Sequence, residues 1–204
     1  MNRSIQRIIK RLVDVVVAGG LLIVLSPLLG AIAVIVRQTS GSPVLYRWSV
    51  VGQHGRPFTS YKYRTMVPDA DALKPLLMAN NAMRGPVFKM RDDPRITPVG
   101  RVLRRYSLDE LPQLWSVLKG DMSLVGPRPP LQSEYAQFTE VQRAKLAVKP
   151  GITCLWQVSG RNNIQDFDEW VRLDTQYIRE WSLWLDLKIL LRTIPAVVRA
   201  TGAS

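Results

Sequence analysis

A chain of 204 residues is long enough for one domain with a core of its own, and its 47% of hydrophobic side chains is ordinary for a globular protein, though unevenly spread. The 28 Lys and Arg against 16 Asp and Glu leave a formal net charge of +12, which points to polyanionic surroundings: nucleic acid, an anionic membrane face or phosphorylated substrates. The single cysteine, Cys154 in G-I-T-C-L-W, excludes an internal disulfide and reads as a small packing residue. A catalytic thiol is not expected, because the only histidine, His54, lies in the turn-like Gly52-Gln53-His54-Gly55.

Met1 to Arg11 is basic (Arg3, Arg7, Lys10, Arg11), with Ile5, Ile8, Ile9 and Leu12 at helical spacing. Leu12 to Val36 is almost wholly apolar and interrupted by Asp14, for which a neighbouring Arg or Lys is the expected partner. The run is too long for a signal peptide and no clean small-residue cleavage site follows it. It is long enough to cross a bilayer core, but Pro27 in Ser26-Pro27 removes a backbone donor near its middle and kinks the helix. Both flanks are basic, with Arg37 and Arg47 following, so the positive-inside rule places both ends on the cytoplasmic side. A kinked spanning helix and a helix that enters, breaks and returns both remain open on these grounds.

Ser42 to Tyr46 and Phe58 to Arg64 read as short strands around the turn Gly52 to Pro57, and alternation puts Ser60, Lys62 and Arg64 on one face. Val67 to Gly85 reads as a short surface helix whose Leu and Met face rests on the core by default. Val87 to Gly100 is a proline-punctuated loop. Asp92 and Asp93 are metal ligands by type, but Pro94 and Arg95 immediately after favour a turn with a local ion pair. Arg101 to Tyr106 brings Arg104 and Arg105 to the stretch that organises the rest, Ser107 to Pro129. There Asp109 and Glu110 sit inside an apparent helix start, with Ser107 and Glu110 matching the capping box S-x-x-E and Gly120 closing the run. Nearby arginines and the positive end of a helix favour the ionised carboxylates. Gly126-Pro127-Arg128-Pro129 is a rigid turn presenting an arginine, and an ionised acid pair beside a fixed arginine suits a metal-bound phosphate.

Gln132 to Lys149 reads as an amphipathic helix with Tyr135, Phe138, Val141 and Leu146 inward, broken at Lys149-Pro150-Gly151. Arg161 follows in Ser159-Gly160-Arg161-Asn162, which taken alone is a turn. Phe167 to Trp181 is helical and includes Asp174. Ser182 to Ala200 is amphipathic, with Trp181 and Trp184 suited to headgroup depth and cations towards anionic lipid.

The motif S-x-D-E-L-x-Q-L followed by G-D-M-S-x-V-G-P-R-P resembles the signature of bacterial sugar transferases of the monotopic phosphoglycosyl transferase kind, and Ser107 to Pro129 matches it throughout. Y-K-Y-R-T-M resembles the family's K-x-(F/Y)-R-(S/T)-M segment, Gln157 to Asn162 its W-x-V-x-G-R element, and Leu173-Asp174 its L-D-x-x-Y-I acid. The resemblance implies an α+β, mainly helical fold. A re-entrant membrane helix-break-helix bends at Ser26-Pro27 over residues 1–40. Residues 41–204 form one continuous catalytic part on the cytoplasmic face, with a small β-hairpin and interfacial helices around the site. Because the chain begins at the hairpin, it resembles the family's minimal form.

By the same resemblance Asp109 is the nucleophile and Glu110 the best Mg2+ ligand. Lys62, Arg64, Arg104, Pro127, Arg128, Pro129, Arg161 and Asp174 are carried over as substrate-side positions. The implied reaction moves a sugar-1-phosphate from a UDP-sugar to a polyprenyl phosphate such as undecaprenyl phosphate, at the bacterial inner membrane. A non-catalytic basic membrane scaffold is the competing expectation. It explains the charge, but not the clustering of Asp109, Glu110, Arg104 and Arg128. Nucleic acid is not an expected partner, because the cations are dispersed and no binding motif accompanies them. Neither the sugar nor the oligomeric state is read from the sequence.

Overall fold

The computed structural model describes residues 2–90, 92–160 and 164–198. Two long helices, α1 (Arg3–Val24) and α2 (Ser26–Ser40), open the chain and meet at a bend of 62°. The bend lies where the sequence placed it. Pro27 occupies the first turn of α2, where its missing N–H has no intrahelical partner to lose, and Ser26 Oγ donates to the Ile23 carbonyl at 2.8 Å. Among the described residues no single helix is long and apolar enough to cross a membrane; the bent pair together has the length and composition. Both helices leave large apolar side chains exposed, including Val16, Ile23, Val24 and Val34.

The side of α1 that faces the rest of the protein carries Lys10, Arg11 and Asp14, and all three are hydrogen-bonded. Arg11 donates to the carbonyls of Val117 (2.6 Å) and Leu118 (2.7 Å), satisfying the last turn of α5 (Leu114–Lys119). That helix ends at Gly120, whose φ of 91° is a conformation side chains avoid. Asp14 pairs with no cation among the described residues. Its Oδ1 accepts from Ser123 Oγ (3.1 Å) and the Leu124 amide (2.9 Å), because the entry end of α1 packs on protein rather than at a charged interface. Lys10 donates to the Val125 carbonyl at 3.0 Å and to Asp186 at 2.6 Å.

Strands β1 (Leu45–Val51) and β2 (Pro57–Tyr63) form the expected antiparallel hairpin, with Trp48 opposite Ser60 and Tyr46 opposite Lys62. The first strand starts later than the sequence suggested, and exposed His54 sits in the turn at φ 57°. Two very short strands, β3 (Ser123–Val125) and β4 (Gly151–Thr153), pair in parallel and were not foreseen. They cross at Gly126 and Gly151, where a Cβ on Gly151 would lie 2.1 Å from the Gly126 nitrogen, so only glycine fits.

Three apolar clusters hold these parts together. One joins Ala18 of α1 to Leu114, Val117, Met122 and Ile189. Another gathers Phe138, Trp156, Phe167 and Trp170, with the two indoles stacked at 4.1 Å and 6°. The third joins Ile32 and Val36 of α2 to Tyr63 and Leu103.

Elsewhere the chain departs from the simple reading. Helix α3 (Ala70–Leu77) exposes Leu73 and Leu76, and Met78 after it is also exposed, so that face does not rest on the core. Gln132 to Lys149 is not one helix but α6 (Gln132–Tyr135), α7 (Glu140–Arg143) and a 3-10 turn (Ala144–Ala147). Thr139 caps the second of these reciprocally with Gln142, and Val141 is left outside.

Helix α4 (Pro98–Arg105) precedes the acid pair and the short α8 (Leu155–Val158) follows β4. Helices α9 (Phe167–Glu180) and α10 (Leu183–Val198) match expectation closely. On α10 Trp184, Leu187, Leu191, Ile194 and Val198 form one exposed apolar stripe. Trp181 turns inward instead, donating to Asp186 at 3.2 Å, beside the Tyr177 hydroxyl that donates to the same carboxylate at 2.7 Å.

Candidate active site

The acid pair does not begin an ordinary α-helix. Ser107 takes a left-handed conformation (φ 53°, ψ 23°) instead of the extended geometry of a capping box, and Leu108–Gln113 is a 3-10 turn that contains Pro112. The tighter winding sends neighbouring side chains about 120° apart. Asp109 and Glu110 consequently meet different surroundings.

Glu110 is clamped. Its Oε1 accepts from Lys62 Nζ at 2.7 Å and from an Arg128 N–H at 3.2 Å. Both cations lie against the buried Trp48 ring, at 3.8 Å and 5.5 Å from its centroid. Burial alone would raise the Glu110 carboxyl, but the charges and hydrogen bonds of Lys62 and Arg128 outweigh it and hold the group far below the usual carboxylate range. Oε2 makes no hydrogen bond to the described residues.

Asp109 is 8% exposed and makes neither a hydrogen bond nor an ion pair with the described residues. Burial, and then the negative charge of Glu110, push its carboxyl upward against the charges of Lys62, Arg104 and Arg128. Arg104, on the last turn of α4, is fixed by an Nε donation to Thr65 Oγ1 at 2.9 Å. A cavity of about 410 Å3 opens over these groups, and its lining includes Trp48, Lys62, Arg64, Arg104, Asp109 and Glu110. Arg128, Pro129, Glu134, Lys145, Trp156 and Gln157 line it too.

The residues expected from sequence divide by position. Lys62, Arg104 and Arg128 converge on the dyad, and Pro129 lines the cavity. Pro127 is fully buried behind it, its carbonyl taking the Gly151 amide at 3.0 Å, and so aims Arg128 from underneath. Arg64 reaches the rim and donates to the Ser42 carbonyl at 2.8 Å rather than to either acid. Asp174 does not line the cavity. It is 1% exposed beneath the floor, where Lys145 Nζ approaches Oδ2 at 2.8 Å, close in distance but not aligned as a hydrogen bond. Burial raises the Asp174 carboxyl against that lysine. Arg161 lies outside the described residues.

Sequence reasoning missed Trp48, Lys145 and Glu134. Lys145 carries no local signal, and Trp48 declares itself only through its strand neighbour across the hairpin. Asp93 forms the local pair predicted for it, with Arg95 donating at 2.9 and 2.7 Å, which removes it as a metal ligand. Among the described residues no three His, Cys, Asp or Glu gather as a metal cage. The hard oxygens of Glu110 Oε2 and Asp109 nevertheless fit Mg2+, which takes few protein ligands and keeps its waters.

The family described as bacterial sugar transferase matches residues 5–200. The chain is 53% identical over 166 residues to the galactosyl transferase CpsE of Streptococcus agalactiae, covering 81% of this chain and 37% of that one. It is 44% identical over 201 residues to the undecaprenyl-phosphate galactose phosphotransferase of Salmonella typhimurium, covering 97% and 42%. The exopolysaccharide production protein ExoY of Rhizobium meliloti is 40% identical over 209 residues, covering 98% and 90%. The chain thus spans about two-fifths of the first two relatives and most of the third.

Proposed function

Given that the chain belongs to the bacterial sugar transferase family, we propose that it moves a sugar-1-phosphate from a UDP-sugar to undecaprenyl phosphate, releasing UMP through a covalent intermediate on Asp109. The observation that carries the reading is the contrast within the dyad: Glu110 is held by two cations, while Asp109 is buried, bonded to none of the described residues and open to the cavity.

An Asp109 oxygen attacks the sugar-linked phosphorus, and the bond from that phosphorus to the UMP oxygen breaks. The acyl phosphate keeps the sugar after UMP leaves. An oxygen of the polyprenyl phosphate then attacks the same phosphorus and returns Asp109 as a carboxylate. Phosphoryl transfer depends on positioning and charge neutralisation, and Lys62, Arg104 and Arg128 supply three fixed cations for the pyrophosphate oxygens. Glu110 Oε2 would hold Mg2+, which when bound neutralises pyrophosphate charge.

The exposed apolar surface supports a membrane placement as part of the same proposal. The bent α1–α2 pair enters and returns from the cytoplasmic face of the bacterial inner membrane, its exposed apolar side chains in lipid. The α10 stripe, with Lys188 placed 5.4 Å from the Trp184 ring, lies along the same surface. The reaction is then the first membrane step of exopolysaccharide, capsule, O-antigen or related glycan assembly.

The test is UMP release from a panel of UDP-sugars by the protein in nanodiscs containing undecaprenyl phosphate and magnesium. Release with at least one sugar, abolished by Asp109→Asn, together with a phosphosugar adduct on Asp109 when the lipid is left out, is the expected result. No release and no magnesium-dependent binding of any UDP-sugar would remove the enzyme reading and leave the membrane scaffold.

A further inference from the structure

Five carboxylates line the cavity: Asp71, Asp93, Asp109, Glu110 and Glu134. Asp109 and Glu110 form the reacting dyad. Asp93 is consumed by Arg95, with both of its oxygens bonded. Asp71 is exposed and accepts from the Tyr46 hydroxyl at the rim. Glu134 remains. Its Oε2 accepts the Leu131 amide at 2.9 Å, and its Oε1 makes no hydrogen bond to the described residues.

The surroundings of Glu134 are unusual for a spare acid. Burial raises its carboxyl, against the Leu131 amide and the charges of Arg128, Lys74 and Lys145. Trp156 lines the same cavity, stacked on Trp170, and the indole nitrogens of both are buried without a hydrogen-bond partner among the described residues. Gln157, whose Oε1 accepts from Cys154 Sγ at 3.1 Å, lines it too.

An acid acceptor, an amide and a flat aromatic wall are the groups that recognise a polyol: hydroxyls donate to the carboxylate while C–H faces lie on the ring. Phosphate would be repelled by the acid, and a base carbonyl would find an acceptor facing it. We propose that Glu134, with Gln157 and Trp156 beside it, is a hydroxyl subsite for the nucleotide-sugar donor, in which the carboxylate accepts from the donor's ring hydroxyls. This rests on the transferase reading, and the hydroxyls could belong to either of the donor's two rings, the ribose or the transferred sugar.

Glu134→Gln separates these. The amide oxygen keeps the acceptor that caps α6, whereas the charge and one acceptor are lost. Full-length protein in nanodiscs is titrated calorimetrically with UDP, 2′,3′-dideoxy-UDP and UDP-galactose. A hydroxyl bonded to a charged group is worth about ten- to a hundredfold in affinity, and the variant should lose that factor for UDP-galactose. If the ribose is the source, UDP weakens equally, and the wild-type protein loses a similar factor on the dideoxy analogue, to which the variant is indifferent. If the transferred sugar is the source, UDP is unaffected, and the ranking of UDP-sugars as donors changes.

Wild-type affinity for every probe would overturn the proposal. So would equal weakening of all three, dideoxy-UDP included, since a merely structural defect does that. Should the glutamine variant unfold, Glu134→Asp keeps the charge, withdraws it by one methylene and should give the same selective pattern. Wild-type protein that binds no UDP-sugar would defeat the transferase reading itself. Wild-type protein that transfers while Glu134→Gln matches it throughout defeats only this subsite.

Discussion

Asp109 in the cavity and Asp186 at the junction of α1 and α10 are both buried acids close to a lysine, yet they are served in opposite ways. Asp186 is saturated: Lys10, the Tyr177 hydroxyl and the Trp181 indole all donate to it, and the Tyr177 hydroxyl is pushed far above its usual range by burial and by that carboxylate. Asp109 has three cations within electrostatic reach and a bond to none of the described residues. A satisfied network fixes one arrangement of the chain, whereas a buried acid without partners costs stability and survives where the chemistry needs it. The two acids therefore separate what the fold requires from what the reaction requires.

Three substitutions or conditions put this contrast under strain. Asp109→Asn has the largest expected effect: on the proposed reaction UMP release falls by ~10³-fold or more, because the proposed nucleophile is gone. The same change should leave the protein as stable or raise its melting temperature by about 2–4 °C, the equivalent of about 1 kcal/mol in a chain of this size. Thermal unfolding in detergent checks this, and a marked fall in the midpoint would show that Asp109 is structural after all.

Asp186→Ala should do the reverse. It leaves Lys10 without its acid and strips two further donors, at a cost of about 3–5 kcal/mol. Activity per folded molecule should change far less than the unfolding midpoint. A variant as stable as the parent would mean that the junction does not hold α10 in place.

The smallest effect is on pH. An acid whose folded pKa is raised disfavours the folded state once the pH exceeds its unfolded value, and fully so above its folded value. The stability gap between Asp109→Asn and the parent should therefore be widest near neutrality and close as the pH falls through the raised Asp109 pKa. Phosphosugar adduct formation should fade over the same range as the carboxylate is protonated. A gap that widened on acidification would give the wrong sign and refute the raised pKa.

Much of this was written locally in the chain. The break at Ser26-Pro27, the hairpin, the stop at Gly120, the Asp93–Arg95 turn and helices α9 and α10 follow from spacing and from residues that act on their own neighbours. What escaped was set by distance. Asp14 was expected to find a cation and found the backbone of residue 124, Lys145 is made relevant only by α9, and β3 pairs with β4 across a loop. Ser107 misled for a different reason: S-x-x-E suits a capping box, but Glu110 is drawn away by Lys62 and Arg128, so the local pattern loses to two long-range charges.

The way α1 is moored also bears on how the protein is made. Lys10, Arg11 and Asp14 precede their partners by between 106 and 176 positions in the chain. Until Val117 to Val125 has been made, these three side chains lack the partners they have in the folded protein. Contacts so distant in sequence form late. Helix α1 is thus seated late, by the same segment that connects the dyad to Arg128. Docking of α1 and closure of the cavity are therefore parts of one late step in folding.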